Sequence, residues 1–176
     1  MPIVYLSAQY DHTKWSEIMR TTLFATSLLV GSAIAASAET IEIDMLNKND
    51  AGDRMVFGQE LIRAEVGDVI RFIPTDKSHN AQSAKDALPE GQEDFRGKMN
   101  KVVEYTVTET GLTAVICQPH QAMGMVALVV VGNDFSNAEQ ILDARIPGKG
   151  MDKIEALLEE ARAAVPVAEE AADQSS

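Results

Sequence analysis

Cys117, His120, Met123 and Met125 fall within nine positions, in the stretch Cys117-Gln118-Pro119-His120-Gln121-Ala122-Met123-Gly124-Met125. A thiol, an imidazole and thioethers spaced this closely can aim soft and borderline donors at one point. A thiolate with two imidazoles and a weak axial thioether is the donor set of a blue-copper electron-transfer centre. That set needs a second imidazole, and His79, 38 positions before Cys117, can supply it. Beyond residue 38 the chain has one cysteine and two histidines, and the proposed site uses all three. On composition alone either Met123 or Met125 can provide the thioether.

Each residue also has a plainer reading. Alone, His79 is a loop histidine with ordinary hydrogen bonds, Cys117 a small buried hydrophobe and Met125 a core residue leading an apolar strand. The coincidence of the four favours the metal. A Cys–His nucleophile pair lacks an evident orienting third residue, and methionine is a poor zinc ligand. Copper storage or delivery uses the same donors, but it favours several methionines in one flexible segment. Here the six methionines beyond residue 38 are scattered from Met45 to Met151.

The elements that must position these residues are mostly strands. Thr40 to Met45 alternates apolar and polar residues, as a half-buried strand does. Asn47 to Asp53 is a turn-rich loop, and Met55-Val56-Phe57 is a short apolar return in which Met55 serves packing. Ile62, Ala64 and Val66 alternate before the turn Val66-Gly67-Asp68. Val69 to Ile73 forms a strand that ends at Pro74 and hands the chain to the His79 loop. Residues 80–101 show neither period and read as a long surface excursion with one helical turn. Val103, Tyr105 and Val107 alternate again, Leu112 to Cys117 runs into the donor loop, and Val126 to Val131 reads as a strand buried on both faces. Six or seven such strands predict a Greek-key sandwich or barrel.

Beyond Gly132 the period changes. A capped short helix begins near Ser136 and is stopped by Pro147-Gly148. Met151, Ile154, Leu157, Leu158 and Ala161 then recur at helical spacing, opposite Glu155, Glu159 and Glu160. Both helices are expected to pack on the sandwich. The organisation is thus a β-domain over 39–132, helices over 133–164 and a flexible tail over 165–176, rich in Ala, Glu and Ser.

Residues 19–38 carry Arg20, an apolar centre and Ala36-Ser37-Ala38, the marks of a secretory signal cut after Ala38. The centre is too short for a stable membrane span. Residues 1–18 then read as an over-extended start, with Met19 the true one. Export places the protein in an oxidising periplasm, where a lone cysteine has no internal disulfide partner and metal ligation explains its persistence. The 176-residue chain has a net charge of −12, and residues 1–38 hold two acids and two bases, so removing them leaves it unchanged. Such acidity argues against nucleic acid as a partner.

Met45-Leu46-Asn47-Lys48, Met55-Val56-Phe57, Phe72-Ile73-Pro74-Thr75-Asp76-Lys77 with His79-Asn80, Cys117-Gln118-Pro119-His120 and Met123-Gly124-Met125-Val126 together resemble the pseudoazurins, type-1 copper proteins of the cupredoxin superfamily. The likeness runs from Glu39 to about Ala164. It implies an all-β cupredoxin sandwich or barrel with two C-terminal helices, and one copper ion held by His79, Cys117, His120 and Met125. It selects Met125 over Met123, which it leaves on the surface beside His120. It also implies a periplasmic monomer without enzymatic turnover, carrying electrons to reductases such as copper nitrite reductase in denitrifiers. Docking is expected around His120, Ala122 and Met123, steered by Lys48, Lys77, Lys85 and Lys98. Ile116, where lysine is common in the family, departs from that pattern. Asn80 is expected to tie the two donor loops together, and Pro119 removes one possible amide donor near the sulfur.

Overall fold

A computed structural model describes residues 38–164. Segment 1–18, all of the signal segment except Ala38, and tail 165–176 lie outside the described residues.

Eight strands form two four-stranded sheets: β1 (Thr40–Lys48), β2 (Arg54–Phe57), β3 (Leu61–Ala64), β4 (Val69–Ile73), β5 (Gln82–Ser83), β6 (Val103–Thr106), β7 (Gly111–Ile116) and β8 (Val126–Val131). The first sheet is ordered β2-β1-β4-β6 and the second β3-β8-β7-β5. β1–β4 and β3–β8 are parallel, and the other neighbours are antiparallel. Edge strands of one sheet do not pair with those of the other among the described residues, so the architecture is a sandwich and not a closed barrel. Two helices follow, α1 (Ala138–Leu142) and α2 (Lys149–Ala163).

The first sheet alternates as its sequence demands. Ile43, Met45, Ile70, Phe72 and Tyr105 point inward and are buried. On the solvated face Arg71 stands between Glu42 at 3.4 Å and Glu104 at 3.6 Å, in cross-strand register with both. In the second sheet β7 and β8 are buried along their whole length. One parity, Val115, Ala127, Val129 and Val131, faces the first sheet. The other, Leu112, Ala114, Ile116, Val126, Leu128 and Val130, faces the helices. Tyr105 and Thr113 join the sheets by a buried hydrogen bond of 2.9 Å.

Several expectations are corrected. Residues 80–101 are no surface excursion: Ala81, Ala84 and Ala87 are buried, Gln82–Ser83 pairs with β7, and Phe95 stacks on Phe72 and Tyr105 with centroids 5.8 and 4.7 Å apart. The segment contains no helical turn among the described residues. It closes the open edge of the sandwich with small residues at close approaches, and such irregular packing has no period to read. Val66 lies beyond β3 and is exposed. The side chain of Asn137 does not cap α1. Its amide instead mimics a strand partner, accepting the Leu112 N–H at 2.9 Å and donating to the Leu112 carbonyl at 2.8 Å. α1 ends at Leu142, before Pro147-Gly148, which introduces α2 instead.

α2 lays Ile154, Leu157, Leu158 and Ala161 on the second sheet. Lys153 bonds Glu60 at 2.6 Å and Arg63 bonds the Ala161 carbonyl at 2.9 Å, which fix the helix just before β3 and within it.

Candidate metal centre

His79, Cys117 and His120 converge at one end of the sandwich, with one donor atom of each within 4.8 Å of the others. The Cys117 sulfur is 3.8 Å from His79 Nδ1 and 3.6 Å from His120 Nδ1, and the two nitrogens are 3.2 Å apart. A point equidistant from three atoms with these separations stands about 2 Å from each, the bond length of imidazole and thiolate to a first-row metal. The residues present therefore fit a metal with nitrogen and sulfur ligands.

Strand parity brings these atoms together. Cys117 follows β7 with the parity of Val115 and Thr113, so its sulfur enters the space between the sheets; it is fully buried. Met125, fully buried, precedes β8 with the same inward parity. The Cys117 N–H donates to the Met125 carbonyl at 3.0 Å, which continues the β7–β8 ladder across the loop mouth. Between them a single 3-10 turn, Gln121–Met123, is closed by Gly124 at φ +98°, where only glycine sits without strain.

His79 has no exposed surface. Its Nε2 lies 3.0 Å from Asn47 Oδ1, an acceptor, so the proton sits on Nε2 and the Nδ1 lone pair faces the other donors. Burial, then the neighbouring His120, holds its pKa below the ordinary imidazole value, against a smaller opposing pull from Asp76. The ring is thereby kept neutral, as a ligand must be. Burial also pushes the Cys117 thiol up, opposed by backbone N–H groups of Asn80 and His120. In a site this dry a thiolate calls for a cation beside it.

Asn80 ties the loops as expected. Its Oδ1 accepts the Gln118 N–H at 2.9 Å and its Nδ2 donates to the Gly97 carbonyl at 3.2 Å. Asn47 was not found by sequence reasoning: it lies 32 positions from His79, near the end of β1, in a stretch whose composition signals only a turn. Asp76 sets its place by accepting the Asn47 N–H at 2.7 Å, and Asn100 donates its own N–H to the His79 carbonyl at 2.8 Å.

His120 is half-buried, whereas Ala122 and Met123 beside it are exposed. Lys48, Lys77, Lys85 and Lys98 are all exposed. The structure separates them, however. Lys48, Lys77 and Lys98 lie on segments adjoining Asn47, His79 and Asn100, while Lys85 sits 3.8 Å from Asp86 in a cleft it shares with Glu139, Asp143 and Arg145 of the α1 region. A second cleft places Arg54, Lys149 and Lys153 alongside Ala122 and Met123. Lys149 and Lys153 were missed because α2 is distant in sequence and reaches the donor loop only through folding.

Two facing sheets with a buried cysteine and two histidines at one end are the cupredoxin arrangement. Residues 43–132 match the family of copper binding proteins, plastocyanin/azurin family. The chain is 46% identical over 134 residues to a pseudoazurin of Paracoccus pantotrophus, covering 76% of this chain and 92% of that one. The solved pseudoazurin of Sinorhizobium meliloti is 36% identical with a TM-score of 0.66, covering 69% of this chain and 95% of its own. That of Hyphomicrobium denitrificans is 37% identical with a TM-score of 0.64, covering 69% and 97%. The chain belongs to the plastocyanin/azurin family of copper-binding proteins and, within it, to the pseudoazurins. Its cofactor is a type-1 copper ion, and it is an electron carrier rather than an enzyme. Among the described residues no helix is long and apolar enough to cross a membrane.

Proposed function

We propose that His79, Cys117, His120 and Met125 hold the copper ion, and that the protein works in the periplasm as a monomer carrying single electrons to a denitrification reductase such as copper nitrite reductase. The observation that supports this most directly is the convergence of three donor atoms within 4.8 Å, two of them on wholly buried residues. Copper supplies the one-electron exchange between its cuprous and cupric states. The chain's part is to keep the donors in one arrangement for both. Asn47 fixes the His79 ring, Asn80 links the donor loops, and the two sheets exclude water from Cys117 and Met125.

His120 is the least buried of the three clustered donors, which makes it the exit for the electron. Ala122 and Met123 around it offer a small apolar contact suited to brief redox encounters. Lys48, Lys77 and Lys98 steer acidic partners to that end, while Lys85 contributes little beside its acidic neighbours. Segment 19–38 directs export to the periplasm and is then removed, which leaves Glu39 as the first residue of the β-domain. Storage or delivery of copper fits less well, because exchange between proteins needs exposed donors.

The test is absorption and paramagnetic resonance of the protein with added Cu(II). An intense thiolate-to-copper band with small hyperfine splitting is expected, and Cys117→Ala should abolish it. A pale, ordinary cupric spectrum would overturn the ligand assignment. Stopped-flow oxidation by a copper nitrite reductase, slowing as ionic strength rises, checks the partner. A rate indifferent to salt would remove the steering role of the lysines.

A further inference from the structure

Far from the copper end, Asp68 is a carboxylate only 6% exposed. Its Oδ1 accepts the N–H of Glu39 and its Oδ2 that of Glu65, each at 2.8 Å. Among the described residues no lysine or arginine pairs with it. Two backbone N–H groups satisfy part of this carboxylate, and a positive charge beside it would stabilise it further. Glu39 is also held on its other side, where its carbonyl accepts the Val69 N–H at 2.8 Å, so its nitrogen is fixed against the carboxylate.

We infer that this charge is that of the chain's own α-amino group, created when the leader is removed. The inference rests on the reading that cleavage falls after Ala38. Hydrolysis of the Ala38–Glu39 bond adds water across it: Ala38 leaves with a carboxylate, and the Glu39 nitrogen becomes an amine that takes up a proton at neutral pH. A neutral amide donor 2.8 Å from Asp68 Oδ1 is thus replaced by an ammonium in the same place. The new group keeps the hydrogen bond and adds charge to it, and a charge-assisted bond is about twice as strong as a neutral one. Ala38 itself is exposed. Processing therefore does more than release the protein, since it completes an ion pair that pins the start of β1 to the turn before β4. A single residue left ahead of Glu39 moves the charge off Asp68.

The test begins with N-terminal sequencing of the exported, copper-loaded protein, for which Glu39 is the expected first residue. Denaturant unfolding then compares that protein with one retaining Ala38, each with Asp68 and with Asp68→Asn. Retaining Ala38 should lower the folding constant about tenfold when Asp68 is present and less than twofold with Asp68→Asn. A second readout leaves Asp68 untouched: acylation of the α-amine by an anhydride at neutral pH should be several-fold slower in the chain starting at Glu39 than in the chain starting at Ala38. A first residue other than Glu39 overturns the cleavage reading and the ion pair with it. A start at Glu39 with equal folding constants and equal acylation rates overturns the ion pair alone.

Discussion

The two faces of the β7–β8 hairpin are built from alternate residues of the same strands, yet they serve different ends. The helix face carries large aliphatic residues, Leu112, Ile116, Val126, Leu128 and Val130, closed over by α1 and α2. The inter-sheet face holds Val115, Ala127, Val129 and Val131, and on reaching the end of the sandwich it presents Cys117 and Met125. Both faces are equally dry. What differs is the end of the second face, where apolar packing gives way to sulfur and imidazole donors backed by asparagines. A period-2 element can hold a packed layer on one side and a redox site on the other, because each side chain is committed to one face by parity.

If the faces are separable in this way, damage to the helix face costs stability and leaves the copper site alone. Leu128→Ala should lower unfolding free energy by about 2–5 kcal/mol, measured by urea titration, with the absorption spectrum unchanged. A spectral shift would show that the faces are coupled through the hairpin. Asn80→Ala should act on both quantities. It leaves the Gln118 N–H and the Gly97 carbonyl without their partners, at a cost of about 1–3 kcal/mol, and frees the His79 and Cys117 loops to move, which a changed thiolate-to-copper band would report.

Tyr105→Phe tests the seam between the sheets. Loss of its bond to Thr113 should cost about 1 kcal/mol at neutral pH. Burial pushes the Tyr105 hydroxyl up to about 12, against about 10 in an unfolded chain. The folded protein keeps this proton where the unfolded one releases it. The contribution is therefore whole below about pH 10 and is lost as pH rises through about 12, at about 1.4 kcal/mol per unit. Phe at 105 should flatten that alkaline slope in equilibrium unfolding. The smallest effect on stability is expected for Met123→Gln, within about 0.5 kcal/mol because the residue is exposed. It should nevertheless slow electron transfer to a reductase several-fold with an unaltered spectrum, which stopped-flow measurements would separate from damage to the site.

Much of this was legible before any coordinates. Thr40 to Met45 and Val126 to Val131 announced themselves by alternation and by unbroken apolarity, and α2 by the spacing of Ile154, Leu157, Leu158 and Ala161. The donor loop was readable because Cys117, His120 and Met125 are neighbours in sequence. Segment 80–101 was not, since its buried alanines and Phe95 fill an irregular edge and obey no period.

The sequence by itself determined the donor types, their spacing around Cys117 and the family to which the chain belongs, because these depend on which residues stand near one another along the chain. Only the tertiary structure decided that Asn47 fixes the His79 ring, that Lys85 stands among acidic groups while Arg54 and Lys149 adjoin Met123, and that Asp68 meets the Glu39 nitrogen. Each of these joins residues far apart in the chain, or chooses between neighbours alike in composition. Such choices are made by strand pairing and packing, which bring distant positions together and leave no mark in local sequence.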